Sequence, residues 1–220
     1  KTEKLKVKEK VVESAAGAES GDGFISAEMA DQLRTLYQKL EQDVWITCHA
    51  DESKFGLEMK HFIDEFALLN EHIKVMHEAL DDHYTSPCFV FHDTDKRSLG
   101  LVYYAVPGGH EFTSFALAIY NAVGPKQAID EDLLASIQSL KQKQSIKVMV
   151  SLSCTMCPEV VQSAQRIALE NENVNTEIYD LTHFPELKEK YKIMSVPCMV
   201  INDEKVHFGK KSLKDMLALL

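Results

Sequence analysis

Cys154 and Cys157, separated by Thr155 and Met156, are the residues of this 220-residue chain best suited to do chemistry. They follow an apolar run (Ile146, Val148, Met149, Val150) and precede Val160, Val161, Ala164, Ile167 and Ala168 at helical spacing, so the stretch reads strand, tight turn, helix. A Cys-x-x-Cys at such a junction is a redox motif. A thiol at a helix N-terminus meets unsatisfied backbone N–H groups and the positive end of the helix dipole, which favour the thiolate that attacks disulfides. The second thiol lies about one turn further on, close enough to close a disulfide and release whatever the first has captured. Pro158 suits this place, because a first-turn N–H has no helical partner to lose.

Composition narrows the setting. A chain of this length with 45% hydrophobic residues favours two domains over one. A net charge of −10 and no concentrated basic face argue against nucleic-acid binding. No apolar run approaches the length of a membrane span and no signal-peptide core opens the chain, so a cytoplasmic setting is expected. The first residue is Lys1 rather than a methionine, which is expected of a piece of a longer protein. Five cysteines, only two of them close in sequence, do not make a disulfide-stapled scaffold.

The elements that must position the dithiol can be read along the chain. Residues 1–25 begin rich in lysine and continue in Ala, Gly, Ser and acid, with few large apolar groups after Val12, and are expected to be a linker. Ser26 caps a helix carrying Met29, Leu33, Leu36, Tyr37 and Leu40. Strand 44–48, helix 55–69 and strand 73–76 follow, then a hairpin of strands 87–91 and 101–104. A helix with Phe112, Phe115, Ile119 and Val123 ends at Gly124-Pro125, and another spans 129–140.

The second half repeats the first: strand 146–150, helix 158–169, strand 174–179, a helix near 185–191, hairpin strands 198–201 and 206–208, and a last helix from Ser212. Ser86-Pro87-Cys88-Phe89-Val90-Phe91 matches Val196-Pro197-Cys198-Met199-Val200-Ile201, each proline entering a hairpin, so two copies of one βαβ–ββα unit are expected over 26–125 and 126–220. The first copy has no Cys-x-x-Cys; only Cys48 lies near its junction, with Asp51 three residues on.

This order, with a dithiol at the first strand-to-helix turn and a proline entering the third strand, resembles the thioredoxin fold. The runs Gly109-His110-Glu111-Phe112-Thr113-Ser114, Ser151 to Val161 and Ser195-Val196-Pro197 narrow the resemblance to the N-terminal domain of the flavoprotein subunit of bacterial alkyl hydroperoxide reductases. The resemblance covers about Met29 to the end. It implies an α/β fold of two fused thioredoxin-like units with mixed sheets flanked by helices, only the second of which keeps a dithiol. It implies that Pro197 is cis and faces the dithiol, and that Glu111 sits beside the dithiol and assists proton transfer. It further implies a thiol–disulfide oxidoreductase in which Cys154 is the nucleophile and Cys157 the resolving thiol. Electrons would pass from a flavoprotein reductase module, holding FAD and NAD(P)H in the same or a separate chain, to a peroxiredoxin disulfide. No cofactor beyond the redox-active disulfide is expected on this segment.

Two other readings accompany it: a stand-alone glutaredoxin- or isomerase-like enzyme, and a binding module whose Cys-x-x-Cys is structural or holds metal. Glu111 is, by position alone, an acid compensating a helix dipole. Cys198, directly after Pro197, is either a buried small residue or a third thiol near the dithiol, open to a side disulfide or soft metal ligation. Met156 and Met194 are candidate apolar contacts for a partner and Met199 a core residue. Trp45 is expected in the core; His61, His72, His77, His83 and His92 are expected to be solvated or capping. No glycine-rich phosphate loop is present.

Overall fold

The structure, a computed structural model, describes residues 23–220. Most of the stretch read as a linker, residues 1–22, lies outside the described residues. At its end the Phe24 and Ile25 backbone N–H groups donate to the Glu65 carboxylate at 2.8 and 2.9 Å, and the Phe24 ring meets Phe62 edge-on.

The first half runs α1 (Ala27–Tyr37), β1 (Val44–His49), α2 (Lys54–Ala67), β2 (Ile73–Glu78), β3 (Cys88–His92), β4 (Ser98–Tyr104) and α3 (Glu111–Val123). After α4 (Glu131–Gln138) the second half runs β5 (Gln144–Val150), α5 (Cys157–Glu170), β6 (Val174–Asp180), α6 (Pro185–Lys190), β7 (Cys198–Ile201), β8 (Lys205–Phe208) and α7 (Leu213–Leu217). The cap expected at Ser26 forms, accepting from the Met29 N–H; Ser53 likewise accepts from Gly56, and Ser212 and Asp215 close a capping box at the start of the last helix.

The two halves share one eight-stranded sheet, ordered β2-β1-β3-β4-β6-β5-β7-β8, where mixed sheets in the plural were expected. Each half contributes a parallel pair followed by antiparallel strands, in the same order. They join where β4 lies parallel to β6, with Tyr103 opposite Ile178. Edge pairing at this seam satisfies backbone groups that two separate sheets would each leave open.

Strand alternation then sorts side chains onto two faces. Ile46, Cys48, Phe91, Tyr103, Val148 and Ile178 belong to the large core that also takes in the buried stripes of α2, α3 and α5. Phe115 on α3 sits at its centre, with ring centroids 5.1 to 5.7 Å from Phe62, Phe66, Phe89, Phe91 and Tyr103. Truncating so many edge-to-face contacts leaves a cavity; Phe115→Ala is expected to lower unfolding free energy by about 3–5 kcal/mol, read by denaturant titration.

The opposite face carries two smaller clusters. One joins Met149, Cys198 and Val200 to Tyr191 and Ile193; the other joins Cys88, Val90, Tyr104 and Phe184. Trp45, expected in the core, belongs to this second face by alternation and is only half-buried, with the Lys96 ammonium 4.1 Å from its ring centroid. Two of the histidines contact carboxylates rather than being merely solvated, His72 Nδ1 with Asp43 at 2.8 Å and His77 Nε2 with Asp64 at 2.7 Å. His92 contacts the Thr47 hydroxyl at 3.1 Å.

Candidate functional site

Strand β5 ends at Val150 and α5 begins at Cys157, so residues 151–156 form the turn that carries the dithiol. The Cys154 N–H donates to the Ser151 carbonyl at 2.9 Å, and the Ser151 and Ser153 hydroxyls lie 3.1 Å apart. Cys154 and Cys157 form a disulfide, with their Cα atoms 5.5 Å apart. Pro158 takes the helix start expected for it. The two sulfurs differ in access: Cys154 is half-buried, and Cys157 is fully buried at the head of a stripe continuing through Val160, Val161 and Ala164.

The Val196–Pro197 peptide is cis, the one such bond among the described residues. Because β7 runs antiparallel to β5 with Cys198 opposite Met149, Val196 and Pro197 come alongside Val150 and Ser151, at the mouth of the turn. The Pro197 carbonyl accepts from the Gly209 N–H at 2.9 Å. Around this mouth Met156 is 51% and Met194 83% exposed, whereas Met199 is core. At the first turn of α5, Glu159 pairs with Lys210 at 2.6 Å.

The first half reaches into the same place through the turn between β4 and α3. The His110 N–H donates to the Leu152 carbonyl at 3.1 Å, and the Glu111 N–H to Gly108 at 3.0 Å. Gly109 is indispensable to this approach, since its φ is +50° and a Cβ there would stand 2.4 Å from the Leu152 oxygen. Gly109→Ala is expected to cost at least about 1–2 kcal/mol from the left-handed backbone alone, with the clash pushing the 151–156 turn outward. Thermal unfolding together with faster alkylation of reduced Cys154 checks both effects.

Glu111 is 1% exposed, with no hydrogen-bond partner for either carboxylate oxygen. The residue opens α3, where an acid compensates the helix dipole, and it points into the protein. Burial pushes its pKa up to about 7. Strands β4 and β5 both lie parallel to β6, so α3 and α5, which follow them, start at the same end of the sheet. The head of α3, with Glu111, thus stands at the dithiol end of α5.

Cys198 does not join this group. It lies on the opposite face of the sheet, packed with Met149, Tyr191 and Ile193, and burial pushes its thiol up to about 11. The third thiol that adjacency in sequence placed near the dithiol is turned away by strand alternation, because residue 198 opens β7 facing α6. Cys88 has the same placement in β3. No group of three or more His, Cys, Asp or Glu side chains suited to a metal ion occurs among the described residues.

Comparison with known proteins converges on one family. A family model described as a thioredoxin domain matches residues 144–220. The solved structure of a point mutant of the alkyl hydroperoxide reductase AhpF of Enterococcus faecalis aligns with a TM-score of 0.85 and 34% identity, over 90% of this chain and 99% of that one. The chain belongs to the family of the AhpF N-terminal domain. Its members are thiol–disulfide oxidoreductases of thioredoxin-like fold. The separately solved N-terminal domain from the same organism agrees, at TM-score 0.85 and 33% identity over 89% of this chain and 99% of that one. A protein disulfide oxidoreductase from Aeropyrum pernix shares the fold at TM-score 0.75 and 19% identity, over 88% and 91%. Among full-length relatives, the F subunit of alkyl hydroperoxide reductase in Xanthomonas campestris pv. phaseoli is 28% identical over 90% of this chain. A protein named NADH dehydrogenase in Bacillus subtilis is 26% identical over 88% of it. The chain spans 37% of the length of these curated relatives.

Sequence reasoning missed the Gly109–Leu152 contact, the Glu159–Lys210 pair and Gln165, a buried amide between the halves. The one available signal was Gln165 itself, a polar residue four positions after Val161 on the buried stripe. No helix of the described residues is long and apolar enough to cross a membrane.

Proposed function

We propose that this chain is a dithiol relay that carries electrons from a flavin- and NAD(P)H-dependent reductase module to the disulfide of a peroxiredoxin. The observation that carries the reading is the asymmetric pair, Cys154 half-buried and Cys157 fully buried, followed along the same sheet end by a cis-proline loop and by the buried carboxyl that opens α3. In the reduced state the Cys154 thiolate attacks one sulfur of the partner disulfide, forming a mixed disulfide and expelling the other sulfur as a thiolate, which takes up a proton. Cys157 then loses its proton and attacks the Cys154 sulfur. The Cys154–Cys157 disulfide closes, the second partner thiol leaves, and two electrons and two protons have moved.

Within this reading Glu111 receives the Cys157 proton. A carboxyl whose pKa lies near 7 is matched to that task at neutral pH. Pro197 shapes the loop on which the partner docks. The flavin and the pyridine nucleotide belong to a reductase module in the same or a separate chain, and the system is cytoplasmic. The chain divides near residue 125 into a unit without a dithiol and a unit with one.

The test supplies reduced chain to an oxidised peroxiredoxin and follows thiol appearing on the partner. Stoichiometric transfer supports the reading. Failure to transfer, with rapid oxidation by glutathione disulfide instead, replaces it with a stand-alone glutaredoxin-like enzyme.

A further inference from the structure

Gln165 lies wholly inside the protein on α5, eight residues beyond Cys157, so that Cys157, Val161 and Gln165 share one stripe of that helix. Its Oε1 accepts from the Tyr103 hydroxyl of β4 at 2.7 Å, and its Nε2 donates to the Ser114 carbonyl of α3 at 3.0 Å. Tyr103 is itself fully buried. One amide thus ties the helix that carries the dithiol to the last strand of the first half and to the first turn of the helix that carries Glu111. A buried amide satisfied on both sides holds its neighbours tightly, because breaking either bond strands a polar atom away from water.

We propose that Gln165 is a positioning residue: the Tyr103–Gln165–Ser114 strut fixes the head of α3 against α5, so that Glu111 stays dry and addresses the buried thiol of Cys157. The inference rests on the reading of Glu111 as proton acceptor.

Three features support it. Val161 between Cys157 and Gln165 is apolar and buried, and the other polar link between the two helices, Arg166 to Asn121 at 3.2 Å, lies toward the far end of α3, so the strut is the directional link nearest the head of α3. The charge of Glu111 reaches Tyr103, whose hydroxyl is held protonated mainly by burial and further by that carboxylate. The strut and Glu111 therefore occupy one electrostatic neighbourhood. Among titratable groups, Tyr103 from β4 interacts with Glu111 and His110 is beside it in sequence, while the dithiol lies at the same end of the sheet, at the start of α5. Burial is the main cause of its raised pKa, so admitting water is the way to lower it.

The experiment uses the reduced chain and the aromatic disulfide 5,5′-dithiobis(2-nitrobenzoate) in rapid mixing. Attack by Cys154 releases one coloured thiolate, and ring closure by Cys157 releases the second, so the two steps are read separately across pH. In the unaltered chain the second release is expected to rise through a midpoint near 7, where Glu111 ionises. Gln165→Met is expected to slow the second release about 10-fold and to move its midpoint down by about one unit toward an ordinary carboxylate. The first release stays unchanged. Tyr103→Phe, which removes one oxygen and keeps the bond to Ser114, is expected to shift the midpoint the same way by less. It decides the matter alone if Gln165→Met fails to fold. An unmoved or raised midpoint in the folded variants overturns the proposal. Glu111→Gln separates the two layers. If it keeps the original profile, the Glu111 reading itself has failed; if it flattens the profile while the strut variants leave the midpoint unmoved, only the strut has.

Discussion

Cys154→Ser leaves the chain unable to pass electrons to a disulfide, while Cys157→Ser accumulates a stable mixed disulfide with the partner. The two outcomes follow from access and order. Cys154 is half-buried at the mouth of the turn, where a partner sulfur can approach in line, and Cys157 is fully buried behind it. A serine hydroxyl at neutral pH is almost wholly protonated and cannot attack, so the first variant stops before any bond forms. The second variant completes the first exchange and then lacks the sulfur that would close the ring. Mass spectrometry of the two variants with an oxidised peroxiredoxin distinguishes them: no adduct for Cys154→Ser, and a one-to-one adduct cleaved by added thiol for Cys157→Ser. An adduct at Cys157 in the first variant would reverse the two roles.

Glu111→Gln acts on rate and on stability in opposite directions. Loss of a general base is expected to slow ring closure about 100-fold and to abolish the pH midpoint near 7. Stability moves the other way because the buried carboxyl carries a desolvation penalty once ionised. Its folded pKa, about 7, lies above its ordinary value of 4.5, so the folded state holds the proton more tightly. Below the ordinary value both states are protonated and no penalty exists. As pH rises from there to about 7 the unfolded state ionises first, and stability falls by about 3 kcal/mol in total. The neutral glutamine escapes this loss. Relative to the unaltered chain, Glu111→Gln is therefore expected to be progressively stabilised between acid pH and pH 8, as urea titrations at several pH values will show. A variant that is slower yet more stable above pH 7 is the signature of a group strained for its task. Parallel stability curves for the two proteins would remove the case for a desolvated carboxyl.

How much of this could be read along the chain depends on how far apart the interacting residues are. The strand and helix periodicities, the Ser26 cap, the two hairpins and the repeat of proline-entered strands rest on neighbours within a few positions, and they appear where expected. The dithiol was legible for the same reason: its chemistry needs only two thiols one turn apart and a helix start. Cys198 shows the limit. Adjacent to Pro197 in sequence, it points away from the site, because successive residues of a strand face opposite sides of the sheet. Trp45 illustrates the same limit, since a large aromatic side chain in a strand reveals nothing about which face of the sheet the helices cover.

What the sequence determined by itself is the local framework and the reactive pair: Cys154, Cys157, the helix they open and the proline-entered strand beside it. What only the tertiary structure decided is the environment of that pair. The pairing of β4 with β6 merges two repeats into one sheet and brings the start of α3 to the start of α5. That seam allows Gly109 to approach Leu152, buries Glu111, and suspends Gln165 between the halves. The physical reason is that a pKa, a desolvated charge and a strut are properties of what surrounds a residue from distant parts of the chain. Reactivity at Cys154 is written in its own neighbours, and the proton that must leave Cys157 depends on residues some fifty positions away.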